Sequence, residues 1–439
     1  MKSALSFLIA ARQCEIDELE QLARTSELAL VLGQLCHELQ RERGASNLFV
    51  ASAGQRFAVQ RRALAAASDQ AVAQARACFD QLETQAGHPG SRARLFSRIA
   101  YALHGLEALG GLRQRIEALS ITPEETVAAY VQLVASLIAV VFEAADSATD
   151  PQISRLLVAY FNFMQGKETA GQERAAGAAV FAAGQASAPQ RQQLLNLIDT
   201  QERCLQTFTN FADDEAQSLW RGAQAGQNLA ELERLRRIAC TAPTGQLDAD
   251  QSLTWFECCT RRIDAMKHVE DFMAQQLRQL CREKINRSRD DLLAHERLLQ
   301  ALAQQEDVPM PPASLPAEPP PASRFFDTTP GRAALARQPA PQAGFSPYGP
   351  QVERAILEML NEQSQRLQSM SDELATVRAA LHERKVVERA KGLLMAHRHL
   401  TEEAAYRMLR QTAMEQNRRL IEVAESVLAL ENYLASGSD

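Results

Sequence analysis

Apolar positions recur at three- and four-residue intervals over nearly the whole chain, which is the spacing of amphipathic helices. No segment sustains the alternating Val, Ile, Thr and Tyr of a half-buried strand, so little sheet is expected. From about residue 16 to 306 the helical pattern breaks at His88-Pro89-Gly90, Thr122-Pro123-Glu124-Glu125, Asp150-Pro151, Pro189 and Pro243-Thr244-Gly245. Runs of some 25 to 40 residues between breaks predict about eight helices, enough for two stacked four-helix bundles.

The pattern stops after Asp307. Twelve of the chain's 17 prolines lie between Pro309 and Pro350, and such a stretch can neither complete a helix nor pair in a sheet, so residues 307–350 read as a linker. Beyond it Ile356, Leu360, Gln363, Leu367, Met370, Leu374, Val377 and Leu381 fall on one seam at alternating steps of four and three. That heptad run predicts a parallel coiled coil over residues 351–381, with Glu373 against Arg378 of a second copy; the alternative is one amphipathic helix lying on the protein's own bundle. Three short helices follow, with apolar faces at Val387, Ala390 and Leu394, then Ala405, Leu409 and Ala413, then Leu420, Val423, Ala424 and Val427. Thr401 before Glu402 and Glu403 reads as an N-cap that separates the first two. The expected fold class is all-α, in the order stacked bundles (residues 1–306), linker, coiled-coil helix and three-helix module (382–439).

Charge and composition sharpen this picture. The chain carries a net −7, yet residues 383–422 hold nine Lys or Arg against six Glu, so any polyanion contact must be confined to that module. Eight cysteines are scattered without a CxxC pair or a His at ligand spacing, the usage of reduced structural thiols, and no metal site is expected. The apolar run Ala4 to Ala11 leads into Arg12-Gln13-Cys14-Glu15, not into a small-residue cleavage site, and Val127 to Phe142 is short for a bilayer and interrupted by Gln132. A cytoplasmic protein with no membrane contact is expected. P-loop, GxGxxG, HExxH and GxSxG motifs are missing, so neither an enzyme nor a bound cofactor is expected.

Arginine among small residues stands out instead. In Leu39-Gln40-Arg41-Glu42-Arg43-Gly44-Ala45-Ser46-Asn47 the small residues weaken a helix, which makes sense where something approaches the backbone closely. In the segment from Phe163 to Ala178, glycines at 166, 171 and 177 flank Lys167 and Arg174. A third motif is Leu235-Arg236-Arg237-Ile238. Guanidinium forks brought together from distant helices can clamp a small planar anion and stay charged when dehydrated. The competing reading pairs each Arg with a neighbouring acid such as Glu42, Glu173 or Glu233 on an ordinary helix surface.

Two resemblances bear on these motifs. Arg384, Val387, Ala390-Lys391-Gly392, Leu394-Met395, Glu403-Ala404, Tyr406, Leu409-Arg410, Ala413-Met414, Asn417, Leu420 and Val423-Ala424 resemble the ANTAR domain, a three-helix RNA-binding module of bacterial antitermination regulators. The segments around Arg43, Arg174 and Arg236 resemble the nitrate- and nitrite-sensing NIT domain, in which arginines hold the anion between two four-helix bundles. The resemblance implies nitrate or nitrite as effector ligand at Arg43, Arg174 and Arg236, with Arg237 an alternative because the adjacent pair leaves the register open. It implies a leader mRNA with paired hairpins as partner, contacted by Lys391, Arg410, Arg418 and Arg419, with Lys385 and Arg389 behind them. Tyr406 reads as core before stacking platform. A homodimer that prevents a terminator hairpin from forming is the expected function, gated by a sensor that masks or frees the RNA module. The rival from another class is a dimeric helical sensor acting through a protein partner without RNA.

Overall fold

The computed structural model describes residues 4–82, 93–242, 247–306, 350–398, 400 and 402–435. Among them are twelve helices and no strand. They are α1 (Ala4–Ala51), α2 (Ala58–Asp80), α3 (Ala93–Glu117), α4 (Pro123–Asp146), α5 (Pro151–Ala182), α6 (Ala188–Phe211), α7 (Asp214–Gln224), α8 (Gln227–Thr241), α9 (Gln251–Glu306), α10 (Pro350–Arg398), α11 (Glu402–Glu415) and α12 (Leu420–Ala435).

Helix starts follow the expected chemistry where proline marks them. Thr122 accepts from the Glu125 N–H at 3.1 Å while the Glu125 carboxylate accepts from the Thr122 N–H at 3.0 Å, a capping box with Pro123 in the first turn of α4. Asp150 accepts from the Gln152 and Ile153 N–H groups, each at 3.0 Å, and starts α5. Ser187 and Gln190 form the equivalent box for α6 around Pro189. The breaks at 88–90 and 243–245, the Thr401 cap and linker residues 307–349 lie outside the described residues.

Three breaks carry no proline. After α1 the chain turns through Ala53 and Gly54 with φ of 50° and 81°; Asp213 caps α7 just after α6 ends; and Gly226, at φ 138°, separates α7 from α8. They bring the helices up to residue 306 to nine among the described residues, against the eight expected. The Gly44-Ala45-Ser46 run does not interrupt α1.

The chain divides into two compact units. The smaller comprises the start of α1 up to Gln21, α9 from Cys281 on and α10 as far as Asp372. It buries Ile16, Leu19 and Cys281 and carries the ion pairs Arg366–Glu15 (2.9 Å) and Arg289–Glu20 (2.5 Å). The larger holds Leu22–Leu280 and Glu373–Asp439. Its central element is α5, which packs on α4, α6 and α8. So much of α5 is enclosed that Lys167, Glu168 and Glu173 are all buried with its Phe, Leu and Val side chains, and each must find a partner. In α4, apolar and long enough to cross a membrane by composition alone, Tyr130, Val134, Leu137 and Val141 are all buried in the protein core.

In the C-terminal module Val386, Ala390 and Leu394 of α10 meet Ala405, Leu409 and Ala413 of α11 and Val423 and Ala424 of α12. The stripe is as expected except that Val386 takes the buried place and Val387 is only partly covered. Asn417, at φ 50°, closes α11 with the left-handed turn in which Arg418 N–H reaches back to the Ala413 carbonyl at 2.9 Å. Of the heptad seam, Leu374, Val377 and Leu381 are buried within the single chain, whereas Leu367 is 53% exposed.

Candidate functional site

The first arginine motif sits on α1 and the second on α5, and the structure brings their guanidinium groups to one seam. Arg43, buried to 3% exposure, gives Nη1–H to Glu168 Oε1 at 2.5 Å. Its Nη2 is buried with no partner and would lie 2.8 Å from a Cβ at Gly171. Arg174 reaches the opposite way, its Nη2 3.5 Å from where Gly44 would carry a Cβ. Each arginine tip thus lies against the glycine beside the other's anchor, which is why both motifs mix arginine with glycine. A side chain at Gly171 would occupy the space that the Arg43 fork uses.

The two forks differ in their partners. Glu168 is held by Arg43, by Gln40 Nε2–H at 2.8 Å and by Gln172 Nε2–H at 2.8 Å. Arg174 donates Nη1–H to Thr260 Oγ1 at 3.0 Å and lies over the Phe256 ring, 4.8 Å from its centre, with both residues on α9. Among the described residues no carboxylate comes within ion-pair distance of Arg174. Burial first, and then the neighbouring charge of Arg43, lower its pKa, against the smaller opposing effect of acids such as Asp264 and Glu168 that lie beyond ion-pair distance. The indole N–H of Trp255 donates to the Arg174 carbonyl at 3.1 Å and ties α9 to α5 at this residue. Trp255 itself lies where a Cβ at Gly177 would be, 2.1 Å from its ring, so the last motif glycine admits the indole.

The third motif resolves its own register: Arg236 is buried and Arg237 is exposed. Arg236 grips Glu173 with both Nε and Nη2 at 2.6 Å, donates Nη1–H to Glu233 at 2.7 Å and meets Gln201 Oε1 at 3.2 Å. Its fork is occupied by acids, as the ordinary pairing reading anticipates, and it braces α5 beside Arg174 instead of sharing the Arg43 seam. Glu42, by contrast, does not pair with Arg43; it takes Arg113 at 2.7 and 2.9 Å and the Tyr130 hydroxyl at 2.9 Å. Arg41 is half exposed and bound to Glu38. Lys167 is buried against Glu270 at 2.5 Å, also on α9.

The basic residues of the C-terminal module divide into three groups. Arg389, Arg418 and Arg419 are exposed, the last two around Glu422 of their own module. Lys391 is buried, with Glu388 at 2.8 Å. Lys385 and Arg410 are held by acids of the N-terminal helices: Lys385 by Asp146 at the end of α4, Arg410 by Asp199 of α6. Two residues outside the candidate set join them. Arg384 lies over Phe161 at 4.5 Å and donates to Asn162 Oδ1 at 3.3 Å, and Arg203 lies over the Tyr406 ring at 4.5 Å. The site therefore includes Glu168, Thr260, Phe256, Asp146, Asp199 and Arg384, none of which periodicity singles out. Of these, Glu168 lies inside the Gly-Lys-Glu-Thr-Ala-Gly run and Arg384 opens the ANTAR-like set, so both fell within motifs already noted, while the other four did not.

The family model for nitrate and nitrite sensing, NIT, matches residues 34–278, and the ANTAR domain model matches residues 375–428. A nitrate regulatory protein of Klebsiella oxytoca is 33% identical over 420 residues, spanning 96% of this chain and 93% of that one. The solved structure of the NasR transcription antiterminator is similar with a TM-score of 0.59 and 30% identity, covering 98% of this chain and 99% of the other.

Proposed function

This chain belongs to the nitrate- and nitrite-sensing NIT family and carries a C-terminal ANTAR domain, and from that premise we propose that it is a cytoplasmic, nitrate- or nitrite-responsive antiterminator. Arg43 and Arg174 take the anion. The observation that carries this reading is their meeting on one seam, with an unpartnered buried Nη2–H on the first and no acid on the second. A small oxyanion supplies in-plane acceptors for both forks, and one of single charge costs less to bury than phosphate or sulfate. Arg236 acts through α5 by fixing Glu173, and Arg237 stays in solvent.

The output is RNA binding by the ANTAR module. Asp146 and Asp199 occupy Lys385 and Arg410 as phosphates would, so the pose described here is the masked one. Release frees those two residues to join Arg389, Arg418 and Arg419 on the phosphates of a paired leader hairpin, while polar side chains read bases exposed in its loops. Lys391 supports the helix on which the others are mounted. Nitrate can open the mask only by the difference between its affinities for the masked and free states, on the order of a few kcal/mol for a decisive shift. α5 is placed to transmit it, since it carries Phe161 and Asn162 against Arg384 and, farther along the same helix, Glu168 and Arg174 at the anion site. The chain works as a homodimer through the heptad seam around Leu367.

The deciding experiment is a gel-shift titration of the full-length protein against a two-hairpin leader RNA with and without nitrate, paired with terminator readthrough in vitro. Nitrate is expected to raise both, and RNA binding is expected to weaken steeply with salt. Retention of nitrate-dependent readthrough after Arg418 and Arg419 are both changed to Ala would favour a protein partner over RNA.

A further inference from the structure

Glu168 has no place in a simple arginine clamp, yet it is buried to 2% exposure at the centre of the anion site. Three donors from two helices converge on its carboxylate: Arg43 at 2.5 Å, and Gln40 and Gln172 at 2.8 Å each. Several neighbouring charges have partners of their own: Lys167 is paired with Glu270, Arg236 with Glu173 and Glu233, Glu42 with Arg113, and Arg41 with Glu38. Asp264 and Arg262 add charge from farther off, the first favouring the charged form of Arg174. At ion-pair distance the seam of Arg43 and Arg174 holds one carboxylate, that of Glu168, which sets two positive charges against one negative.

Resting on the assignment of the anion to Arg43 and Arg174, we infer that Glu168 is the residue that sets the charge of the bound ligand: it lowers a doubly positive site to +1, so that the site accepts one monovalent oxyanion and rejects divalent ones. The physical reason is the cost of an unbalanced charge away from water, which falls on the complex with the wrong total. A nitrate or nitrite ion brings the site to neutrality. A sulfate would leave it at −1 in the same enclosure, facing Glu168 directly. Glu168 also keeps one of the Arg43 donors engaged, which leaves the orphaned Nη2–H for the ligand. The two glutamines complete the carboxylate's hydrogen bonds beside Arg43.

The test is calorimetric titration of the full-length protein with sodium nitrate and, separately, sodium sulfate, for the wild type and for Glu168→Gln, Glu168→Asp and Arg174→Ala. Glu168→Gln removes the charge and keeps the shape; it is expected to bind nitrate at least tenfold more tightly and to acquire sulfate binding that the wild type lacks. Glu168→Asp retains the charge and is expected to go on excluding sulfate even if nitrate binding weakens. Unchanged anion preference in Glu168→Gln, with nitrate lost in Arg174→Ala, would overturn the role of Glu168 and leave the anion site in place. Full nitrate binding by Arg174→Ala would instead remove the site assignment on which the inference stands. Should Glu168→Gln fail to fold by circular dichroism, sulfate binding by the wild type or by Glu168→Asp as tight as that of nitrate is the result that refutes it.

Discussion

At the scale of single residues the two arginines proposed to hold the anion, Arg43 and Arg174, are not equivalent. Arg174 has a hydroxyl and a ring for company, whereas Arg43 neutralises a buried carboxylate. Removing Arg43 strands Glu168, the kind of loss that costs about 3–5 kcal/mol in a buried pair, softened here by the two glutamines. Arg174→Ala is therefore expected to abolish nitrate binding with little change in thermal stability, and Arg43→Ala to lose both; calorimetry and thermal melts on the same samples distinguish them. Half-buried His37 belongs to the same region. Burial and then the charges of Lys167, Lys267, Arg41 and Arg174 push its pKa from 6.5 down to about 2. An imidazole that protonates more readily when unfolded costs the native state stability as pH falls below 6.5, while above that value it has no effect. The expected loss by pH 5 is on the order of 1–2 kcal/mol, before the carboxylates begin to titrate. Denaturant melts at pH 7.5 and 5.0 should show it in the wild type, with a smaller difference in His37→Gln.

At the scale of elements, α5 shows how far a periodic pattern informs and where it stops. Its glycines were legible as sites of close approach, but what approaches is settled only by neighbouring helices. At Gly171 it is the far end of Arg43 and at Gly177 the rigid ring of Trp255. A methyl at Gly177 meets indole atoms that cannot move without emptying a core shared with Phe181, Leu235 and Cys259. Gly177→Ala is thus expected to lower stability by about 1–3 kcal/mol despite the better helix propensity of alanine. Gly171→Ala is expected to leave stability nearly unchanged while displacing Arg43 and weakening nitrate binding. Thermal melts of both variants, with nitrate titrations of the second, check the contrast. The breaks at Ala53-Gly54 and Gly226 went unread for a related reason: a single residue at positive φ leaves no periodic trace when apolar residues resume at once on either side.

At the scale of the whole molecule the proposed masked pose depends on a few charge pairs. Lys385 with Asp146 and Arg410 with Asp199 are partly solvent-facing and individually weak, so they specify the pose more than they stabilise it. Asp146→Asn combined with Asp199→Asn is expected to raise RNA affinity without nitrate severalfold and to flatten the nitrate response, measured by gel shift at fixed salt. Sedimentation over a range of concentrations tests the dimer. The burial of Leu374, Val377 and Leu381 within one chain confines the remaining seam to residues before them, and a monomer at tens of micromolar would end that reading.

Sequence alone determined the helical class, the helix breaks at Thr122-Pro123, Asp150-Pro151 and Pro189, the apolar faces of the last three helices and the presence of arginine beside glycine, because spacing, capping and backbone freedom are local properties of a chain. Tertiary structure decided which arginines face one another, that Arg236 is bound by acids while Arg237 is in water, that Lys391 is buried and Arg410 paired, and that Glu168 pairs with Arg43. Most of those outcomes depend on helices far apart in the chain lying side by side, and no local periodicity carries that information.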